Sequence, residues 1–124
     1  MLRKETRDSM TSLERTENGF IAEFMFHPDF TGFKGHFPGK PVLPAICLLQ
    51  ASLVADKSCR GNETELKNVV SAKFFSTVSP HEKLLLKGTT GKSKNGSMTL
   101  KAYITAGDRK VADLTLEITK PKSE

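Results

Sequence analysis

The sequence has no long hydrophobic stretch, no low-complexity segment and only two cysteines. Because a membrane-spanning helix needs about 18 or more consecutive apolar residues, no segment is predicted to cross a bilayer. The first ten residues, MLRKETRDSM, are polar and lack the apolar core of a signal peptide. We therefore expect a cytoplasmic protein that does not associate with membranes.

The two cysteines, Cys47 and Cys59, are not predicted to form a disulfide or a metal site. If both lie on one helix, they are about 18 Å apart along its axis, which is beyond the reach of a disulfide. Their spacing also fits no CxxC pattern. We expect two reduced thiols, with Cys47 acting as a small buried apolar side chain.

The charge is mildly basic and dispersed along the chain. Its 124 residues include 19 lysines and arginines against 14 acidic residues, a net charge of +5. Because the basic residues form no stripe interleaved with aromatic residues, nucleic-acid binding is not indicated. A basic surface could attract an acidic protein partner, or it could serve solubility alone.

The length and the 37% of apolar residues fit one folded domain. We predict a polar lead-in over residues 1–18, a single domain over residues 19–120 and a short tail over residues 121–124. The lead-in has no sustained periodicity, so we expect it to be frayed or loosely packed.

A strand, a loop and a helix are predicted in the first half of the domain. Phe20 to Phe26 alternates apolar residues and is predicted to be the first strand. The segment 27–41 contains three glycines and three prolines, which is typical of a shaped loop. A helix is predicted from Pro44 to about Ser58, ending at Gly61 and Asn62. Its apolar residues occupy nearly all sides, so it should be enclosed by a sheet or by a partner.

The second half of the domain is predicted to contain four strands, mostly antiparallel. They cover Leu66–Phe75, Lys83–Lys87, Ser97–Ala106 and residues 112–119, with hairpin turns at Asn95–Gly96 and Gly107–Asp108. An apolar helix between antiparallel strands predicts an α+β hot-dog fold, in which a curved antiparallel sheet wraps around one long buried helix.

The segment GHFPGKPVLPAICLLQA, residues 35–51, resembles the signature of the 3-hydroxyacyl-acyl-carrier-protein dehydratases, approximately GHFPxxPVxPGVxxxEA. Eight positions match at fixed spacing between a predicted strand and a predicted helix. Further along, AKFFSTVSPHEKL, residues 72–84, is similar to the family's strand followed by a VxPGD turn. The resemblance extends over nearly the whole chain from Gly19.

The resemblance implies that His36 is the general base or acid at the α-carbon of an acyl thioester. Imidazole suits this role because its pKa lies close to neutral pH. A buried histidine that only orders the loop is the alternative interpretation. His27 and His81 lie outside the motif and are interpreted as turn or surface residues.

Gly35, Phe37, Pro44 and Ala45 are the substrate-binding candidates. Gly35 and Gly39 would permit a tight backbone path around His36. The first amides of the helix, near Ala45, are suited to polarise a thioester carbonyl. The family usually has glycine at this position, and alanine keeps the amide but adds a methyl group.

The main departure from the family pattern is Gln50, where the family carries a glutamate or aspartate that handles the leaving hydroxyl. A carboxamide cannot release a proton at neutral pH, although it can still hydrogen-bond a hydroxyl or a water. Val54 also replaces a residue that is often glutamine in the family. Asp56 is a poor substitute for the acid, because it lies about 9 Å further along the helix and on another side. Asp29, in the loop, stays a candidate for the replacement acid.

The resemblance implies a 3-hydroxyacyl-thioester dehydratase or hydratase of fatty-acid or related acyl-chain biosynthesis, using His36 and Gln50 without a metal or cofactor. The alternatives are a subunit that binds an acyl chain or completes a heterodimer without catalysis, and a hot-dog thioesterase. The expected substrate is an acyl-carrier-protein or coenzyme A thioester. The resemblance also implies a dimer, either of identical chains or with a related hot-dog subunit. Gln50 could instead be a satisfied amide in that dimer interface.

Overall fold

A computed structural model describes residues 3–35, 39–61, 65–92 and 97–119. The elements, in chain order, are α1 (Arg3–Asp8), β1 (Met10–Arg15), β2 (Gly19–Met25), a short 3-10 helix (Thr31–Phe33), α2 (Ala45–Arg60), β3 (Leu66–Phe74), β4 (Lys83–Lys92), β5 (Met98–Ala106) and β6 (Arg109–Ile118). The strands form one antiparallel sheet in the order β1-β2-β4-β5-β6-β3. Helix α2 packs against β1, β2 and β4, which is the predicted α+β arrangement.

Alternating apolar residues on the central strands build the core. On β5, and on β6 from Ala112 onwards, every second residue is buried or nearly so, while the residues between them are more exposed, as the alternation predicted. The aromatic side chains of β2 and of the loop after it add a compact group. The buried rings of this group belong to Phe20, Phe24, Phe26, Phe30 and Phe33.

Helix α2 has the predicted position and is slightly longer than predicted. It starts after Pro44, and its last turn ends at Gly61, whose φ of 70° is left-handed and whose amide donates to the Lys57 carbonyl at 2.8 Å. Both cysteines on it are free, and Cys47 is buried. No helix within the described residues is long and apolar enough to span a membrane.

The prediction of a frayed lead-in over residues 1–18 is wrong for residues 3–15. These residues form α1, which packs on α2, and β1, which pairs with β2. Their sequence gives no periodic signal, because the helix has six residues with only Thr6 fully buried and the strand is an exposed edge. The proposed boundaries at residues 19 and 120 stay predictions. The tail 121–124, Asn62 and the Asn95–Gly96 turn lie outside the described residues.

The turn between β3 and β4 is held by one arginine from the β5–β6 hairpin. The Arg109 guanidinium donates to the Ser76 hydroxyl at 3.1 Å, to the Thr77 carbonyl at 3.0 Å and to the Glu82 carboxylate at 2.8 Å. The other oxygen of Glu82 accepts the Ser79 amide at 2.8 Å. This network links residues 76–82 to the start of β6.

The same turn is hydrogen-bonded to the two segments that flank the loop 27–41. The Val78 carbonyl accepts the Leu43 amide at 2.8 Å, and the His81 amide donates to the Phe26 carbonyl at 2.9 Å. His81 has a φ of 70°, a left-handed conformation uncommon for a residue with a Cβ. It stands where the resemblance implies the glycine of a VxPGD turn, and glycine adopts this backbone conformation readily.

We expect Glu82→Gln to weaken the acid dependence of stability. Partial burial favours the neutral carboxyl, but the hydrogen bonds from Ser79 and Arg109 together lower the pKa of Glu82 below 4.5. A carboxyl whose pKa is lowered on folding stabilises the native state above its unfolded pKa, and this contribution is lost as the pH falls through the folded pKa. The free energy of unfolding in urea, measured from neutral to acid pH, should therefore decrease less steeply for Glu82→Gln than for the wild type. Glu14→Gln, at an exposed position on β1, is the control. Equal pH dependence in all three proteins would contradict the expectation.

We expect Gly88→Ala to destabilise the sheet strongly, whereas Gly91→Ala on the same strand should be almost neutral. A Cβ at Gly88 would lie 2.3 Å from the ring of Phe20, which is fully buried and cannot withdraw, but a Cβ at Gly91 meets nothing within 4 Å. Overpacking of this kind typically costs about 1–3 kcal/mol. Chemical denaturation of the two variants measures the difference, and equal free energies of unfolding would contradict this packing argument.

Candidate functional site

A groove of about 410 Å³ runs along the exposed side of α2. Most of its lining is apolar and comes from the helix itself, with contributions from α1 and from the start of β3. The lining residues are Arg3, Ile46, Cys47, Leu49, Gln50, Leu53, Val54, Lys57, Glu65 and Leu66. The predicted enclosure of α2 is therefore incomplete within the described chain, since Ile46 is 64% exposed.

Gln50 lies in the middle of this groove and is partly buried. The Thr6 hydroxyl donates a long hydrogen bond of 3.5 Å to its Oε1 atom. Val54 lines the same groove and is largely buried, so Gln50 and Val54, the two departures that the resemblance implies, share one helix face. The structure therefore brings Gln50 and Val54 together, as their four-residue spacing predicted.

Pro44 and Ala45 lie at the start of α2, immediately before the groove-lining residues. Pro44 is the N-cap residue and makes no side-chain capping hydrogen bond to the first turn. Ala45, the first helical residue, is exposed. The helix start is thus accessible, with its positive dipole end oriented towards the preceding loop.

Gly35 and Gly39 both have left-handed backbones, with φ values of 77° and 82°. A Cβ at either position would meet nothing within 4 Å, so the requirement for glycine is conformational. His36, Phe37 and Pro38, between these glycines, lie outside the described residues. The placement of His36 relative to Gln50 therefore stays a prediction.

Neither aspartate considered as a replacement acid lines the groove. Asp56 is fully buried, pairs with Arg60 at 2.7 Å and borders a separate cavity of about 260 Å³ near the β1–β2 turn. Asp29 is almost fully exposed, with a carboxylate oxygen 3.6 Å from His27 Nδ1. The expectation that Asp56 is a poor substitute is consistent with this geometry.

His27 and His81 are exposed, as expected of turn or surface residues. Their rings are in edge-to-face contact, with centroids 5.5 Å apart. Burial raises the pKa of the Cys47 thiol, so this groove residue is protonated at neutral pH and is a poor nucleophile. Among the side chains that the structure describes, no three His, Cys, Asp or Glu residues are grouped so that they could hold a metal ion.

Sequence reasoning missed the contribution of α1 to the groove. Arg3 lines it and Thr6 contacts Gln50, while Glu65 and Leu66 border it from the start of β3. The sequence carries no motif for these contacts, because they join segments that are far apart in the chain. Thr6 lies in a polar segment, so its burial cannot be predicted from the sequence and is found only in the structure.

Comparison with known proteins places the chain in a family. Residues 12–114 match the model of the ApeI-like family, described as ApeI dehydratase. The 3-hydroxyacyl-[acyl-carrier-protein] dehydratase FabZ of Ligilactobacillus salivarius is 33% identical over 95 residues, which cover 69% of this chain and 68% of the relative.

Solved structures with similar folds include the dehydratase heterocomplex ApeI:P from Xenorhabdus doucetiae, with 18% identity and a TM-score of 0.73 over 90% of this chain and 96% of that one. A hypothetical thioesterase protein with coenzyme A from Streptococcus pneumoniae has 11% identity and a TM-score of 0.67, covering 98% of this chain and 97% of that one. These likenesses confirm the predicted hot-dog fold. The family-model match, together with the identity to FabZ, shows that this chain belongs to the ApeI-like dehydratase family.

Proposed function

We propose that this chain is a 3-hydroxyacyl-thioester dehydratase-like subunit of acyl-chain biosynthesis, with its site in the groove along α2. The observation that carries the proposal is the position of Gln50, a single amide in a largely apolar groove. The resemblance implies an acid at this position. Apolar grooves with a few convergent polar groups are typical binding sites for small molecules. An acyl chain fits such a lining.

The chemistry requires two proton-handling groups. Dehydration of a 3-hydroxyacyl thioester removes a proton from the α-carbon and the hydroxyl from the next carbon. In the proposed site His36 takes the α-proton, while the first amides of α2, around Ala45, stabilise the negative charge on the thioester oxygen. Gly35, Phe37 and Pro44 would border the thioester. Gln50 hydrogen-bonds the leaving hydroxyl but supplies no proton, so this half of the reaction is slow in the chain alone.

A second candidate is a partner subunit whose companion supplies the carboxylic acid. Gln50 and Val54 favour it, because neither of these groove residues can exchange a proton. The Xenorhabdus dehydratase similar to this fold is named as a heterocomplex, which supports the same idea. A thioesterase function has weaker support, since the Streptococcus protein shares the fold but only 11% of its sequence.

We propose that a second, related hot-dog subunit covers the groove and the neighbouring strand β3. That strand pairs with β6 on one side only among the described strands. Its large apolar residues are unusually exposed, with Val70 at 59% and Phe75, just beyond it, at 51%. An open strand edge next to an apolar helix face is a typical pairing surface. Continuity of this surface with the groove would place the acyl chain between the two subunits.

The proposed substrate is a thioester of acyl carrier protein or coenzyme A. The name of the Ligilactobacillus relative specifies acyl carrier protein, and the net charge of +5 suits an acidic carrier. Both carriers deliver the acyl group as a thioester, so the chemistry at the groove is the same.

We expect Gln50→Glu to raise the rate of 3-hydroxyacyl-thioester dehydration by about 10²-fold or more, because a positioned general acid contributes about 10²–10⁴. The measurement is enoyl-thioester formation from a 3-hydroxyacyl thioester, followed by mass spectrometry. Ser58→Glu is the matched control, since it adds the same charge to an exposed position of α2.

The outcomes separate the candidate functions. A gain in Gln50→Glu alone supports a self-contained dehydratase scaffold. Activity that appears only after addition of a related, acid-bearing hot-dog subunit supports the partner role. Absence of dehydration under both conditions would contradict the proposal, and release of free thiol from acyl coenzyme A would indicate a thioesterase instead.

We expect Val70→Lys to disrupt subunit pairing, because it places a charge in the middle of the exposed apolar edge of β3. Light scattering coupled to size-exclusion chromatography measures the change, with the related subunit added if the pair is heteromeric. Met25→Lys, at an exposed apolar position on β2, is the control and should keep the wild-type mass. A monomeric wild-type chain at micromolar concentration that also binds no related subunit would refute the pairing.

A further inference from the structure

Helix α1 lies between the two segments that carry the proposed site. Consecutive residues of this helix reach in different directions. Glu5 Oε1 accepts the Thr31 amide at 3.0 Å, in the 3-10 helix that precedes the His36 loop. Thr6 donates to Gln50 Oε1 at 3.5 Å on α2. A helix of six residues therefore connects the loop and the central groove residue.

Thr6 is the most enclosed residue of α1, with an exposure of 0%. A buried hydroxyl needs a hydrogen-bond partner, since leaving it unsatisfied costs about 1–3 kcal/mol. The Gln50 carboxamide is the partner of its Oγ1–H group. The distance of 3.5 Å is long for such a bond, but the burial of Thr6 shields it from competition by water. The hydrogen bond between Thr6 and Gln50 thus favours one orientation of the Gln50 carboxamide, with Oε1 towards Thr6.

This orientation determines which end of Gln50 is available to a ligand. A carboxamide has one acceptor oxygen and one NH₂ group with two donors. With Oε1 engaged by Thr6, the NH₂ group is the end left to face the groove that Gln50 lines. The groove is otherwise apolar around this point, with Leu49, Leu53 and Val54 as neighbours.

We propose that Thr6 is a positioning residue that turns the Gln50 NH₂ group into the groove, so that the site selects acyl thioesters with an acceptor oxygen on the third carbon. This inference rests on the proposed acyl-thioester site. Glu5 assists by connecting α1 to the loop at Thr31, and that hydrogen bond lowers the pKa of the Glu5 carboxyl. The Glu5–Thr31 connection is therefore present at neutral pH.

The test uses the fact that Gln50 is the only glutamine in the sequence. Selective ¹⁵N labelling of glutamine side chains gives a single NH₂ pair in an NMR spectrum, recorded on the full chain together with any subunit it needs. We expect this pair to be rigid in the wild type, to move and become mobile in Thr6→Val, and to stay near its wild-type position in Thr6→Ser. Ser9→Ala is the matched control, because the Ser9 hydroxyl donates to the Glu5 carbonyl of α1 at 2.9 Å.

A binding measurement accompanies the spectra. The probes are a non-cleavable 3-hydroxyacyl pantetheine amide and the saturated analogue of the same length, titrated by calorimetry. The wild type should prefer the 3-hydroxy probe, and Thr6→Val should reduce that preference about three- to tenfold, the value of one hydrogen bond. Thr6→Ser and Ser9→Ala should retain the preference.

The outcomes distinguish this inference from the proposed function. An NH₂ pair that is mobile in the wild type, or unchanged in Thr6→Val with an unchanged probe preference, overturns the positioning role even if the protein dehydrates its substrate. If the NH₂ pair and the probe preference respond as expected but neither Gln50→Glu nor an added subunit gives dehydration, the positioning role stands and the proposed reaction fails. Should Thr6→Val not fold, the wild-type NH₂ mobility and the Thr6→Ser titration decide the question.

Discussion

The uneven cover of α2 is the constraint on which the rest of the structure depends. The helix carries apolar side chains on nearly every side, but its main contacts with the sheet of the same chain come from β1, β2 and β4. One flank is therefore buried in the core, and the other flank lines a groove with Ile46 exposed at its start. A helix of this composition is stable when both flanks are covered, so the proposed ligand binding and the proposed subunit pairing would use the same surface.

Burial explains which parts of the fold could be predicted from the sequence. Strands β2, β5 and β6 alternate between a buried and an exposed face, and this alternation is directly readable. Helix α2 has clear start and stop signals in Pro44 and Gly61. In contrast, α1 and β1 have few buried residues and lie at the margin of the sheet, so their stability comes from tertiary contacts that no local pattern encodes.

The site was predictable where a motif has fixed spacing and not where the fold brings distant residues together. The four-residue interval between Gln50 and Val54 puts both on one helix face, and the structure agrees. The contact between Thr6 and Gln50 joins residues 44 positions apart, and no pattern in a polar segment indicates it. His81 is an intermediate case: its place in the turn follows from the family pattern, but its left-handed backbone breaks the preference of its residue type.

A carboxamide at position 50, where the resemblance implies a carboxyl, differs from a carboxyl more in proton chemistry than in packing. A carboxyl among Leu49, Leu53 and Val54 would lose hydration, which favours its neutral form and suits a general acid. The Thr6 hydroxyl would oppose this by donating to the ionised form. A carboxamide is neutral at every pH, so it keeps the hydrogen bond to Thr6 without a charge to desolvate. In the proposed site the carboxamide would therefore hold an oxygen of the acyl chain, and the proton for the departure of that oxygen would come from a group other than Gln50.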